Sequence, residues 1–92
     1  MQSRLRIVVH GTVQGVFFRS NAEEQARRLG LNGWVRNKDD GSVEIVAEGP
    51  KEALQGLLDW CSRGPRGSVV EKIESEWLEP TGEFRDFQMR YD

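Results

Sequence analysis

Two helical stripes set among runs of alternating apolar and polar residues, in the order β-α-β-β-α-β with a strand-like tail, predict an α+β fold. That order is the ferredoxin-like split βαβ pattern: an antiparallel sheet of four to five strands with two helices on one face. A chain of 92 residues has material for one hydrophobic core, so residues 1–92 are read as a single domain.

Each element has its own signal. Leu5, Ile7 and Val9 alternate with Arg4, Arg6 and Val8, which is the period of a half-buried strand. Ala22, Ala26 and Leu29 recur at helical spacing, Gly30 stands where a helix stops, and Ser20 with Glu23 fits a capping box at its start. Gly33 to Asn37 reads as the second strand. Lys38-Asp39-Asp40-Gly41 follows as hairpin chemistry, with Asp-Gly as the turn pair. Val43, Ile45 and Ala47 alternate with Glu44, Val46 and Glu48 in the third strand. Gly49-Pro50 opens the second helix, proline suiting the first helical position, and Leu54, Leu57, Leu58 and Cys61 form its buried stripe. A loop at Arg63–Ser68 precedes a fourth strand over Val69–Leu78, part-exposed because of Glu71, Glu74 and Glu76. Phe87, Met89 and Tyr91 alternate in a short fifth.

The composition narrows the functional classes. A net charge of −2 opposes nucleic acid held by bulk electrostatics, and the first strand offers arginine and aliphatics where an RNA-binding sheet carries stacking aromatics. Apolar runs of a few residues exclude a membrane-spanning helix. A strand pattern that begins almost at the first residue leaves no space for a signal peptide, so the cytoplasm is the expected location. Cys61, the sole cysteine, allows neither an internal disulfide nor a thiolate metal cluster, and His10, the sole histidine, lacks partners for a metal site.

The chemistry concentrates in His10-Gly11-Thr12-Val13-Gln14-Gly15-Val16-Phe17-Phe18-Arg19-Ser20, between the first strand and the first helix. Glycines let the main chain turn tightly and approach a ligand. Amides at such a turn, beside a helix N-terminus, make an anion-binding concavity, and an arginine next to them holds a phosphate with a bidentate fork. Arg19 lies near the positive end of the helix dipole, a local penalty that a bound anion relieves. The spacing matches neither a Walker A loop nor a dinucleotide GxGxxG. The turn therefore reads as an oxyanion cradle, with an ordinary structural turn as the alternative. Asn37 has two readings as well: a turn-favouring asparagine before the hairpin, or a carboxamide that orients a water molecule.

Together, Val9–Arg19 and Leu29–Asn37 resemble the two signature blocks of the acylphosphatase family. Asp40-Gly41-Ser42-Val43-Glu44 and Glu48-Gly49 extend the resemblance through the third strand, whereas the C-terminal half matches in length and element order only. The resemblance implies hydrolysis of an acyl phosphate to a carboxylate and inorganic phosphate on a ferredoxin-like fold, without metal, cofactor or phosphoenzyme. It implies that Arg19 binds the phosphoryl group with the backbone of Gln14, Gly15, Val16, Phe17 and Phe18, and that Asn37 positions the attacking water. The implied partners are a small acyl phosphate substrate and inorganic phosphate as product and inhibitor, with no nucleic acid, no membrane and a monomeric state. Two other readings stand beside it: a non-catalytic phosphate- or nucleotide-binding module using the same cradle, and an excised domain of a larger carbamoyl-phosphate-handling protein. The retained Asn37 weighs against the first, and a fold expected to end neatly at Tyr91-Asp92 against the second.

Overall fold

The computed structural model describes residues 1–91. Its elements are β1 (Gln2–Thr12), α1 (Phe18–Arg28), β2 (Asn32–Asn37), β3 (Val43–Pro50), α2 (Lys51–Arg63), β4 (Val69–Leu78) and β5 (Phe87–Arg90). They form a five-stranded sheet in the order β4-β1-β3-β2-β5. One sheet face carries Leu5, Ile7 and Val9 from β1, Val35 from β2, and Val43, Ile45 and Ala47 from β3, all fully buried. Against them pack Ala22 and Ala26 of α1 and Leu54, Leu57 and Cys61 of α2 in one continuous core. Phe18 joins the layers, meeting Trp60 edge-on with ring centroids 5.2 Å apart. The core of two helices on one face is thus the expected one, although Leu58 is only partly buried. Gly33 lets β2 lie close to β3, since a Cβ there would sit 2.0 Å from the Val46 carbonyl oxygen.

The opposite face is held by ion pairs. β3 is central, so Glu44 and Glu48 are covered although they point away from the helices. Arg6 Nε lies 2.6 Å from Glu44 Oε2, and Arg36 Nε donates to Glu44 Oε1 at 2.8 Å. Glu48 accepts from Arg4 Nη1 at 2.9 Å and from the backbone amides of Thr81 and Gly82 at 2.7 and 3.0 Å. Burial alone would push both carboxyls up, but these donors hold each below the ordinary glutamate range. A lowered folded-state pKa contributes stability that is complete above the ordinary range, about 4.3, and lost as pH falls through the folded value. Glu48→Gln is therefore expected to lower stability by about 1–3 kcal/mol at pH 7. The deficit should shrink as pH falls below the ordinary glutamate value of about 4.3, as the wild-type carboxyl takes up its proton. Thermal melts across that range test this, and an undiminished deficit at pH 3 contradicts the charge argument.

Three local expectations need correction. The fifth strand does not extend an antiparallel sheet: β5 pairs parallel with β2, Gly33 opposite Phe87. The reason lies in Glu48. Leu78, Arg4, Glu48 and Asn32 form one row across four strands. Because Thr81 and Gly82 are tied to Glu48 in that row, the chain leaving β4 crosses the sheet end where β2 begins and enters β5 in the direction of β2. The strand also stops at Arg90, short of Tyr91. At α1, Ser20 and Glu23 form no capping box. The helix starts at Phe18 behind an N-cap Phe17 with no side-chain cap, Ser20 Oγ donates to the Phe17 carbonyl at 3.1 Å, and Glu23 Oε2 accepts the Met89 amide at 3.1 Å. At α2, Pro50 is the N-cap, one residue before the first helical position. The stop at Gly30 is as expected: its positive φ of 73° lets the Gly30 and Leu31 amides close on the Arg27 and Ala26 carbonyls.

Candidate active site

The cradle is built by leaving a helix end open. In the described residues, none of the backbone amides from Gly15 to Arg19 donates to a protein acceptor. The first turn of α1 holds no acidic residue to neutralise the dipole, whereas Arg27 and Arg28 sit at the far end. Gly15 turns the chain at φ 75°, and a Cβ placed there would meet no atom within 4 Å, so the glycine faces open space. Phe17 follows in the left-handed region at φ 60°, ψ 26°. Its carbonyl is fixed by the Asn21 amide at 3.1 Å and by Asn21 Nδ2 at 2.8 Å. Phe18 and Val16 offer this turn only their backbone, for the Phe18 ring is 1% exposed in the core and Val16 packs against it.

Arg19 reaches into this space from the first turn of α1. Its Nη1 donates to the Arg90 carbonyl at 3.1 Å, and its guanidinium lies over the Tyr91 ring at 4.8 Å. No carboxylate pairs with it among the described residues, so most of its fork stays open to a ligand. The contacts come from the C-terminal segment, where the sequence carries no local signal for a role in the site. Met89 is a third contribution from that segment, on the wall of the cleft.

Asn37 ends β2 and opens onto the same cleft as Arg19, a hollow of about 270 Å³. Its Oδ1 is buried without a hydrogen-bond partner and is the one such side-chain nitrogen or oxygen among the described residues. An acceptor so placed costs stability unless something fills it. Gln14 supplies the link between cradle and hairpin. Its Nε2 donates to the carbonyls of Lys38 at 2.8 Å and Ser42 at 2.9 Å, so the carboxamide donors serve the loop after Asn37 rather than a ligand. The hairpin itself closes through Lys38 N to the Ser42 carbonyl at 2.8 Å, with Asp40 Oδ1 accepting the Ser42 amide at 2.9 Å. Asn37 is thereby held in place by bonds on its neighbours, and its own oxygen remains free.

His10 lies elsewhere, with Nε2 2.6 Å from Glu74 Oε2 beside the β1–β4 pair, and does not line the cleft. Burial pushes the Cys61 thiol up, so it is an inert core residue. Among the described residues no three His, Cys, Asp or Glu side chains converge as metal ligands.

The family model for acylphosphatase matches residues 5–89. An acylphosphatase of Aeropyrum pernix is 54% identical over 90 residues, covering 96% of this chain and 88% of that one. One from Anaeromyxobacter dehalogenans is 48% identical over 88 residues, covering 96% and 95%. The crystal structure of acylphosphatase from Bacillus subtilis superposes with a TM-score of 0.93 at 40% identity, over 99% of this chain and 100% of that chain. A turn of free amides, an arginine that no carboxylate among the described residues engages and an asparagine oxygen without a partner among them meet here on a fold shared from end to end with such proteins, and the chain belongs to the acylphosphatase family.

Proposed function

We propose that this protein hydrolyses acyl phosphates to a carboxylate and inorganic phosphate by direct attack of water on phosphorus. One observation carries the reading: Asn37, whose Oδ1 is buried without a partner among the described residues, lines the cleft that also holds Arg19 and the free amides of the cradle. Arg19 and the backbone from Gln14 to Phe18 hold the phosphoryl oxygens, and Asn37 holds the nucleophilic water. The water's oxygen forms the new P–O bond as the acyl C–O–P link breaks on the phosphorus side. The bond's electron pair leaves with the carboxylate, and the water's proton passes to phosphate or solvent. A carboxylate with a reference pKa of about 4 departs without a general acid, so the site needs no histidine. Phosphoryl transfer leaves little covalent work to a protein, and positioning with electrostatics suffices.

The reading is of a metal-independent, cofactor-free enzyme. The guanidinium and amides supply the positive potential, and no cluster of three metal-ligating side chains stands among the described residues. It is also of a cytoplasmic monomer acting on a small molecule. In its support, the net charge is −2, the single cysteine is buried, and no helix among the described residues is long and apolar enough to cross a membrane. The test is hydrolysis of benzoyl phosphate with and without EDTA, together with inhibition by inorganic phosphate. Turnover should be indifferent to EDTA and magnesium, with phosphate competing for the cradle. A tenfold stimulation by magnesium, reversed by EDTA, would move the phosphate site to a metal. Phosphate binding without turnover would instead make this a phosphate-binding module.

A further inference from the structure

We infer that the ring of Phe17 is a platform for the acyl group, so that the site selects acyl phosphates with a flat apolar acyl group over those with a small one; this rests on the acyl-phosphate reading above. Phe17 is the one non-glycine residue with positive φ among the described residues. That conformation suits glycine or asparagine and disfavours a bulky side chain. Three donors on its carbonyl impose it: the Asn21 amide, Asn21 Nδ2 and Ser20 Oγ. Nothing in the fold requires an aromatic ring there. Phe18 next to it fills the core, whereas the Phe17 side stays 78% exposed, and it makes no capping bond. An exposed ring on a strained backbone is a double disadvantage to the folded state, and such strain gathers where a ligand is met.

Its surroundings say which ligand. Phe17, Val13 and Met89 give the cleft an apolar wall beside Gly15 and Arg19, where the phosphoryl group is held. A second hollow shares Arg19 and Asn37 but is bordered by Gln14, Lys38, Asp39, Arg90 and Tyr91, so its wall is mostly polar and its one ring, Tyr91, is already engaged by the Arg19 guanidinium. A substrate fixed by its phosphoryl group therefore has one apolar flank available to its acyl carbon atoms, and Phe17 is the exposed ring on that flank. An aromatic acyl group stacks there and displaces water from both rings, which an acetyl group is too small to do.

Two measurements test this. In the wild type, benzylphosphonate should inhibit about tenfold more tightly than methylphosphonate, the two sharing one phosphonate head. Phe17→Asn, which suits the left-handed backbone, should reduce that preference to below twofold. The same variant should lower the ratio of kcat/KM for benzoyl phosphate over acetyl phosphate by a similar factor; the intrinsic reactivity difference of the two anhydrides is common to both proteins and cancels. Equal inhibition by the two phosphonates in the wild type overturns the proposal, and so does an unchanged preference in the variant. If the variant does not fold, the wild-type inhibitor pair decides alone. Hydrolysis of both acyl phosphates without preference defeats only the acyl platform, whereas hydrolysis of neither defeats the underlying function.

Discussion

Arg19→Gln is expected to lower kcat/KM for benzoyl phosphate by at least about 10²–10³, the loss typical of removing one preorganised donor from an oxyanion site. Several observations set this size. The guanidinium lines the cleft next to the amides of α1, and no carboxylate among the described residues neutralises it. Its orientation is fixed from behind, by the Arg90 carbonyl at 3.1 Å and by the Tyr91 ring at 4.8 Å, so little reorganisation is needed when phosphate arrives. Glutamine keeps a polar group of similar reach but loses the charge and the planar fork. Arg19→Lys keeps the charge without the fork and should fall between the two. Folding should be nearly untouched, by about 1 kcal/mol or less, because the side chain makes one hydrogen bond and one exposed ring contact. Native circular dichroism with competitive phosphate binding weakened in parallel with turnover is the expected pattern. Retention of more than a tenth of wild-type activity would remove Arg19 from the phosphate site.

The same contacts mark where sequence reasoning succeeds and where it stops. The helix and strand order is legible because each element states its period locally: Leu5, Ile7 and Val9 at spacing two, Leu54, Leu57 and Cys61 on one helical face. The cradle is legible for a related reason, since Gly15 and Arg19 lie four residues apart on one turn and need no distant partner to be recognised. The errors fall where distant residues decide. The capping box fails because it is a rule for satisfying amides, and the first amides of this helix have no protein acceptor among the described residues. The parallel pairing of β5 depends on Glu48, 33 residues from Thr81, which no local pattern relates to it. The work of the Gln14 side chain is hidden for the same reason: its carboxamide spans to the Lys38 and Ser42 carbonyls, a tether visible only once the hairpin is folded beside the loop.

Asn37→Ala is expected to reduce kcat by about 10²-fold or more, because misplacing a reacting atom by about 1 Å already costs that much. Affinity for inorganic phosphate should change little, since the phosphoryl group is assigned to Arg19 and the amides. An effect confined to kcat marks an interaction made chiefly in the transition state. Stability separates this role from a merely structural one. A turn-stabilising asparagine would owe its value to hydrogen bonds within the hairpin, and alanine would then lower the melting temperature. Here the Oδ1 has no partner, and the hairpin is closed by Lys38, Asp40 and Gln14 instead. Deleting a side chain that bonds no hairpin group leaves those closures intact, so Asn37→Ala should melt near the wild-type temperature. A variant that is no less stable, binds phosphate normally and turns over slowly has lost its water and nothing else. Normal kcat in folded Asn37→Ala would instead require another group to orient the nucleophile.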